Sequence, residues 1–224
     1  MLLLAYGRRE LSDKNNLLVL KKYYKKFHKQ IVERKKEFKK AGKDREDVLK
    51  ELCFCILTPQ SKAEKCWSAV KELFTLGFAR LSLPLRKVQN ILKHNNVRFH
   101  RKKATYLLGA VKNFDNLWRL LNKKRLSDFA LREKIAETVK GMGYKEVSHF
   151  LRNIGYSFEL AILDRHVLKN LQAFGAISEV PKSMTKKEYL EIEKKMVKFS
   201  QKLGIPIVDL DLLLWAKETG YVFK

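Results

Sequence analysis

Two side chains of complementary chemistry, Lys145 and Asp164, lie nineteen residues apart at the starts of two amphipathic segments. Lys145 follows a glycine-rich turn and opens one helical pattern, and Asp164 follows an apolar run and precedes another. Because the chain folds back between the two positions, we expect the amine and the carboxylate to face one cleft. We also expect Asp164 to cap the helix that it precedes, as aspartate commonly does. A protein that only binds its partner has no need of such a pair, so the pair favours catalysis.

The turn before Lys145 reads Gly141-Met142-Gly143 and joins two segments of helical periodicity. Glycine permits a positive φ and lets the backbone approach another molecule closely. A hairpin followed by a helix N-terminus can present several N–H groups to a phosphate. A plain helix–helix connection would use the same glycines, so the motif alone is a weak signal. We predict that Gly141 and Gly143 contact a phosphate backbone.

Helical spacing of apolar residues runs through most of the chain, beginning with a face that includes Leu20, Phe27 and Ile31. No stretch alternates apolar and polar residues over the length of a strand. Pro59 is expected to end the second helix, and a long stripe from residue 106 to residue 121 predicts one extended helix. The pattern therefore predicts an all-α protein of about ten helices.

The domain organisation expected from this pattern is a single domain over residues 1–224. One lobe would come from the N- and C-terminal helices and the other from roughly residues 60–155, with a cleft between the lobes. No run approaches the roughly 18 apolar residues of a membrane span. Residues 1–6 are too short for the apolar core of a signal peptide, and basic residues follow them rather than precede them. We therefore expect an intracellular protein, in the cytoplasm or the nucleoid, without a membrane partner.

Positive charge is the strongest feature of the composition, with 48 Lys and Arg against 24 Asp and Glu, a net charge of +24. Residues 84–126 alone carry twelve basic residues and one acidic residue, a net of +11. Lysine-rich surfaces also occur simply as solvated helix faces. For a surplus of this size phosphate binding is the better account, so nucleic acid is the expected partner, ahead of an anionic membrane surface. Arg101 and Lys102 are the candidates for contacts to the backbone of that nucleic acid.

The three cysteines, Cys53, Cys55 and Cys66, are few and clustered. An odd set in one helical region is a poor disulfide framework. The Cys-x-Cys pair lacks the spacing of a zinc site. We predict that all three are small buried core residues and that the protein holds no metal.

Together these motifs resemble the helix–hairpin–helix/Gly-Pro-Asp superfamily of base-excision DNA glycosylases. Within it they are most similar to the archaeal-type family of 8-oxoguanine DNA glycosylases/AP lyases. The resemblance spans nearly the whole chain from about residue 30, and the block that contains Lys145 and Asp164 is its most specific part. The residues that carry the resemblance are 54–58 (FCILT), 98–104 (RFHRKKA), 141–155 (GMGYKEVSHFLRNIG), 162–166 (ILDRH) and 211–224 (DLLLWAKETGYVFK).

This resemblance implies a reaction on double-stranded DNA that contains 8-oxoguanine. Lys145 would attack the deoxyribose C1′ as a neutral amine, expel the damaged base and leave a Schiff base on the enzyme. β-Elimination would then cleave the abasic site. Asp164 would stabilise the positive charge that develops on the sugar and help to deprotonate the nucleophile. The family implies no cofactor, and we expect a monomer.

The resemblance also implies how the base is held after it has been flipped out of the duplex. The aromatic pair of the family matches Phe99 and Trp215 here, although an ordinary core role stays open for each, above all for Phe99. 8-Oxoguanine carries a donor at N7, where guanine has an acceptor. The family recognises that difference with its C-terminal lysine. The resemblance therefore implies that Lys224 lies in or beside the pocket. The alternative is that Lys224 belongs to a frayed C-terminal tail.

Three departures from the superfamily pattern stand out. No cysteine follows Cys66, so the four-cysteine cluster ligands of some members are missing. Residues 161–163 (AIL) replace most of the Gly-Pro-Asp signature. Residues 59–61 (PQS) look more like other branches of the superfamily, and Gln60 is a candidate to fill the gap left by the flipped base. Otherwise Gln60 is a polar residue at a helix boundary, and this departure puts the preference for the opposite base in doubt.

Two other functions stay open on the sequence. One is a non-catalytic helix–hairpin–helix module that binds DNA by its shape. The other is a glycosylase for a different damaged base, which the terminal lysine and the missing cluster cysteines disfavour. An RNA-binding role has no motif to support it beyond the charge.

Overall fold

Helices make up all the regular secondary structure of the computed structural model, which describes residues 2–81, 83–123 and 126–224, with side chains from residue 17 onward. The all-α prediction is confirmed. Over the described residues no helix has the length and apolar character needed to cross a bilayer. The eleven helices of these residues, against about ten expected, are α1 (Leu2–Ala41), α2 (Arg45–Leu57), α3 (Ala63–Thr75), α4 (Leu85–His94), α5 (His100–Lys112), α6 (Phe114–Leu121), α7 (Asp128–Thr138), α8 (Tyr144–Asn153), α9 (Arg165–Ala173), α10 (Lys186–Leu203) and α11 (Ile207–Thr219).

The stripe of apolar residues between 106 and 121 belongs to two helices rather than the one extended helix expected. α5 ends at Lys112, and Asn113 separates it from α6. Both the backbone N–H and the side-chain amide of Asn113 donate to the carbonyl of Gly109, at 3.1 and 3.0 Å. An asparagine side chain that bonds to the backbone competes with helix continuation, and the apolar period does not reveal such a break. α4 lies outside the helices expected from the sequence, although its buried Val88, Ile91 and Leu92 do have helical spacing.

Residues 38–157 form one of two compact units. Its central element is α2, which packs against α3, α5 and α8 and is buried over most of its length. α2 ends at Leu57, just before Pro59, as predicted. The three cysteines of this unit are free and buried, which confirms their expected core role.

A buried polar network holds α8 against α2 in this unit. The amide of Asn153 donates to Glu51 at 2.8 Å, and the Arg152 guanidinium donates to the amide oxygen of Asn153 at 3.0 Å. Arg152 also lies over the ring of Phe38 at 5.2 Å. Buried polar groups that satisfy one another fix the relative position of the elements that carry them. The network therefore positions α8, the helix on which Lys145 lies.

Residues 1–37 and 158–224 form the other compact unit. Here α11 packs against α9 and α10. The buried carboxylate of Asp209 accepts a hydrogen bond from the Tyr24 hydroxyl at 2.7 Å and pairs with Lys35. Burial, together with this bond to a carboxylate, raises the pKa of Tyr24. These contacts join α1 to the N-terminal end of α11, the helix that carries Trp215. That the two units act as lobes around one cleft stays a prediction.

Candidate active site

The hairpin before α8 is a tight turn that only glycine can form at its first position. Gly141 has a φ of +90°, and a Cβ there would lie 2.3 Å from the ring of Tyr106 on α5. Gly143 has a φ of −92° and needs no left-handed conformation. Its N–H donates to the carboxylate of Glu146 at 3.1 Å. Of the two glycines, Gly141 therefore uses the left-handed conformation that glycine permits, while the phosphate contacts of both stay predictions.

Lys145 is the second residue of α8, and its side chain is 22% exposed. Its Nζ lies 3.8 Å from a carboxylate oxygen of Glu146, whose other oxygen binds Gly143. Lys145 also contributes, with Lys103, a positive potential at the buried thiol of Cys66, although burial is the larger effect and raises the pKa of that thiol to about 11. A largely enclosed amine at a helix start is suited to nucleophilic chemistry.

Asp164 caps α9, as its sequence position predicted. Its Oδ1 accepts a hydrogen bond from the N–H of Val167 at 2.8 Å, and its carbonyl accepts from the N–H of Leu168 at 2.9 Å. The side chain is half-buried. Lys145 and Asp164 belong to different compact units, so their action on one substrate stays a prediction.

Phe99 and Gln60 are both exposed and both have left-handed backbone conformations, with φ of 58° and 54°. Phe99 is 55% exposed, so the alternative of a core aromatic is wrong. Phe99 immediately precedes α5, and the Arg98 guanidinium lies 5.5 Å from the centroid of the Phe99 ring. Non-glycine residues in left-handed conformations are strained and gather at functional sites. Strain at both positions fits the roles predicted for them.

Lys103 is a residue that the sequence pattern did not single out from its basic neighbours. It is 4% exposed, and its Nζ donates to the carbonyls of Leu57 and Pro59 and to the hydroxyl of Ser61. Burial lowers the pKa of Lys103 to about 8. A signal was present in the sequence, since Lys103 falls in the same helical phase as the buried Leu107.

Arg101 and Lys102, by contrast, are exposed on α5, and the Lys102 amine lies 5.8 Å from the ring of Tyr106. Their exposure leaves both available for the backbone contacts predicted for them. Two further members of the basic run, Lys124 and Arg125, lie outside the described residues.

The segment that leads to Lys224 packs against α1 and α11. The ring of Trp215 stacks on Phe223, with centroids 5.8 Å apart, and meets Tyr221 edge to face at 5.3 Å. The N–H of Val222 donates to Gln30, and its carbonyl accepts from an α1 arginine, both at 3.4 Å. These contacts speak against a frayed tail, while the base-binding roles of Trp215 and Lys224 stay predictions.

The chain is similar to known proteins over most of its length. A family model described as 8-oxoguanine DNA glycosylase matches residues 31–205. An 8-oxoguanine DNA glycosylase/AP lyase of Fusobacterium nucleatum is 40% identical over 212 residues, which are 92% of this chain and 96% of the relative. One of Methanocaldococcus jannaschii is 38% identical and covers 88% of this chain and 93% of its own length.

Two solved structures are similar along nearly the whole chain. The 8-oxoguanine DNA glycosylase of Thermotoga maritima has a TM-score of 0.85 at 34% identity, covering 95% of this chain and all of that one. The Methanocaldococcus jannaschii enzyme in complex with a 15mer DNA containing 8-oxoguanine has a TM-score of 0.82 at 37% identity, covering 92% and 100%. Because the family model and these relatives match most of its length, the chain belongs to the 8-oxoguanine DNA glycosylase family.

Proposed function

We propose that this protein is a bifunctional DNA repair enzyme that excises 8-oxoguanine from double-stranded DNA and cleaves the resulting abasic site. The observation that carries the proposal is the match to 8-oxoguanine DNA glycosylases/AP lyases over nearly the full length of both chains. The half-buried amine of Lys145, at the start of the helix that follows the hairpin, is the group suited to the chemistry.

The reaction begins at the Lys145 amine, which must first give up its proton, with the carboxylate of Asp164 assisting as base. Its lone pair forms a bond to C1′ of the damaged nucleotide, and the bond between C1′ and N9 breaks, so that its electrons leave with the base. The bond between C1′ and O4′ then breaks, O4′ takes a proton from Nζ, and a protonated Schiff base joins Nζ to C1′. A base removes the C2′ proton, a C=C bond forms between C2′ and C3′, and the 3′ phosphate leaves with the electrons of the bond to C3′. The carboxylate of Asp164 stabilises the positive charge that forms on the sugar as the base departs.

The flipped base stacks between Phe99 and Trp215, and Lys224 lies at its edge, where the N7 donor distinguishes 8-oxoguanine from guanine. Gln60 occupies the gap that the base leaves in the duplex. The exposure of Phe99 and Gln60 supports this assignment, because a residue that meets DNA must be accessible.

The DNA backbone is held by the hairpin around Gly141 and Gly143 and by Arg101 and Lys102. Such contacts position the duplex without reading its sequence. The N–H of Gly143 donates a hydrogen bond to the carboxylate of Glu146. A phosphate that binds this N–H therefore takes the place of the carboxylate. We propose that the protein acts as a monomer on intracellular DNA.

Borohydride trapping tests the nucleophile directly. Wild-type protein incubated with an 8-oxoguanine:C duplex and borohydride is expected to form a covalent adduct, because reduction makes the Schiff base permanent. Lys145→Gln is expected to abolish the adduct while it retains DNA binding. Lys134→Gln, which changes an exposed lysine of α7, is the matched control and is expected to trap as wild type does.

The same assay separates the alternatives. An adduct that survives Lys145→Gln would refute the assigned nucleophile. Tight DNA binding with no adduct and no excision in wild type would indicate a non-catalytic binding module. Parallel duplexes that carry an oxidised pyrimidine or a mismatched base would reveal a different lesion as the preferred substrate.

A further inference from the structure

The buried amine of Lys103 donates to three acceptors in one short segment between α2 and α3. Its Nζ lies 2.7 Å from the carbonyl oxygens of Leu57 and Pro59 and 3.0 Å from the hydroxyl of Ser61. An ammonium group has three N–H donors, so this set of acceptors uses all of them. Burial of a lysine is costly unless such partners compensate for the lost water. The three hydrogen bonds therefore fix residues 57–61 in position relative to Lys103.

A second segment, residues 98–103, includes Lys103 itself and leads into α5. The N–H of Lys103 donates to the carbonyl of Phe99 at 3.0 Å, in the first turn of α5. The hydroxyl of Ser61 accepts a further hydrogen bond from the backbone N–H of Arg98 at 3.0 Å. Residues 57–61 and 98–103 are thus joined by the hydrogen bonds of the Lys103 side chain and by the bond from the backbone N–H of Arg98.

Each of these two joined segments carries one exposed residue in a left-handed conformation, Gln60 in the first and Phe99 in the second. A non-glycine residue with φ near 55° is strained by about 1–3 kcal/mol and persists only where its surroundings enforce it. The bonds that Lys103 donates to Pro59 and Ser61 lie on both sides of Gln60, and the bond that Arg98 donates to Ser61 lies next to Phe99. They supply that enforcement.

We propose that Lys103 is a positioning residue for base flipping. It contacts neither the base nor the sugar in this role, but fixes the spacing between Gln60, which enters the duplex, and Phe99, which receives the flipped base. The inference rests on the proposed function for the roles of Gln60 and Phe99. Its physical basis lies in the hydrogen bonds of Lys103 within a single compact unit.

The experiment measures flipping separately from chemistry. In a Lys145→Gln background, stopped-flow fluorescence of a 2-aminopurine placed next to 8-oxoguanine reports unstacking when the base leaves the duplex. Lys103→Met is expected to slow this signal by about 10- to 100-fold, the cost typical of small misplacements. Its affinity for undamaged duplex should stay within about threefold, because the buried amine binds internal acceptors rather than phosphate.

Two matched variants test the mechanism of positioning. Lys103→Arg keeps a buried donor and is expected to restore most of the flipping rate that Lys103→Met loses. Lys71→Met, at an exposed lysine of α3, is expected to leave flipping unchanged. A flipping rate in folded Lys103→Met equal to that of the background would overturn the proposal. So would an arginine variant as slow as the methionine variant.

If Lys103→Met does not fold, Ser61→Ala decides the question, because it removes only the acceptor that Lys103 and Arg98 share. It is expected to slow flipping while circular dichroism stays unchanged, and unchanged flipping would refute the inference. Failure of the proposed function has a different signature. In that case wild-type protein forms no borohydride adduct with the 8-oxoguanine duplex. The 2-aminopurine signals of the Lys103 variants and of the Lys145→Gln background are compared without reference to that adduct.

Discussion

At the scale of single residues, Asp164 has two roles that a substitution can separate. Its Oδ1 caps α9 by accepting from the N–H of Val167, and its charge is proposed to stabilise the sugar cation. Capping needs a hydrogen-bond acceptor and catalysis needs a negative charge. Asparagine supplies the first without the second, since it is about as good an N-cap as aspartate.

Asp164→Asn is therefore expected to lower the single-turnover rate of 8-oxoguanine excision by about 100- to 1,000-fold, the loss typical of one preorganised electrostatic group. The free energy of unfolding should change by less than about 0.5 kcal/mol because the cap remains. Quenched-flow kinetics and urea unfolding provide the two measurements. A stability loss that accounts for the loss of rate would leave Asp164 with the capping role alone.

Lys103 is expected to make base flipping sensitive to pH. Burial lowers its pKa to about 8, so the ammonium predominates at pH 7 and about 90% of the amine is neutral at pH 9. A neutral amine has two N–H donors for three acceptors. The charged or titratable groups around it are Cys66 from α3, Arg98 before α5, and Lys145 and Glu146 from α8.

Between pH 7 and pH 9 the flipping rate of the Lys145→Gln protein is thus expected to fall, with a midpoint at or above pH 8, because this substitution removes a positive charge that lowers the Lys103 pKa. With Lys103→Arg added, the rate should stay flat, because arginine keeps its proton over this range. Stopped-flow 2-aminopurine fluorescence across the pH series is the measurement. An equal fall in both proteins would assign the titration to another group.

At the scale of the elements, the hairpin depends on α5 as much as on its own glycines. The ring of Tyr106 occupies the space that a side chain at position 141 would need. Gly141 therefore meets two constraints at once, a positive φ and a close neighbour. Gly109 lies within α5 and is subject to neither constraint. Its backbone is helical, and a Cβ there would have no atom within 4 Å.

Gly141→Ala is accordingly expected to destabilise the protein by about 1–3 kcal/mol through its left-handed φ alone and to weaken binding of undamaged duplex. Gly109→Ala is the matched control, expected to raise stability by about 0.5–1 kcal/mol because alanine is the better residue inside a helix. Thermal unfolding and fluorescence anisotropy with duplex DNA measure the two effects. Full stability of Gly141→Ala would mean that the hairpin rearranges at little cost.

At the scale of the whole molecule, the net charge of +24 predicts binding dominated by phosphate contacts. Six to ten contacts would give a slope of about −5 to −9 in a plot of log binding constant against log salt concentration. Arg101→Gln and Lys102→Gln are each expected to reduce that slope by about 1, equally for damaged and undamaged duplex.

Lys187→Gln, at an exposed lysine of α10, is the control for a general loss of charge and should leave the slope nearly unchanged. Anisotropy titrations from 50 to 200 mM salt provide the slopes. An effect of Lys102→Gln confined to lesion-containing DNA would place this residue at the base rather than at the backbone.

How much the sequence predicts differs between these scales. Helix content, the end of α2 before Pro59, the cap at Asp164 and the hairpin before Lys145 all follow from patterns within a few residues. The break at Asn113 does not, because a single asparagine side chain that bonds to the backbone interrupts an otherwise continuous apolar stripe.

By itself, the sequence determined the helical class, the family, and the candidate nucleophile and its carboxylate partner, because local spacing and local motifs carry that information. Only the tertiary structure decided that Phe99 is exposed, that Gln60 is held in a left-handed conformation, and which acceptors hold the buried amine of Lys103. The physical reason is the distance along the chain between partners. The acceptors that make a buried Lys103 tolerable lie more than forty residues before it, and a pattern of neighbours does not reveal them.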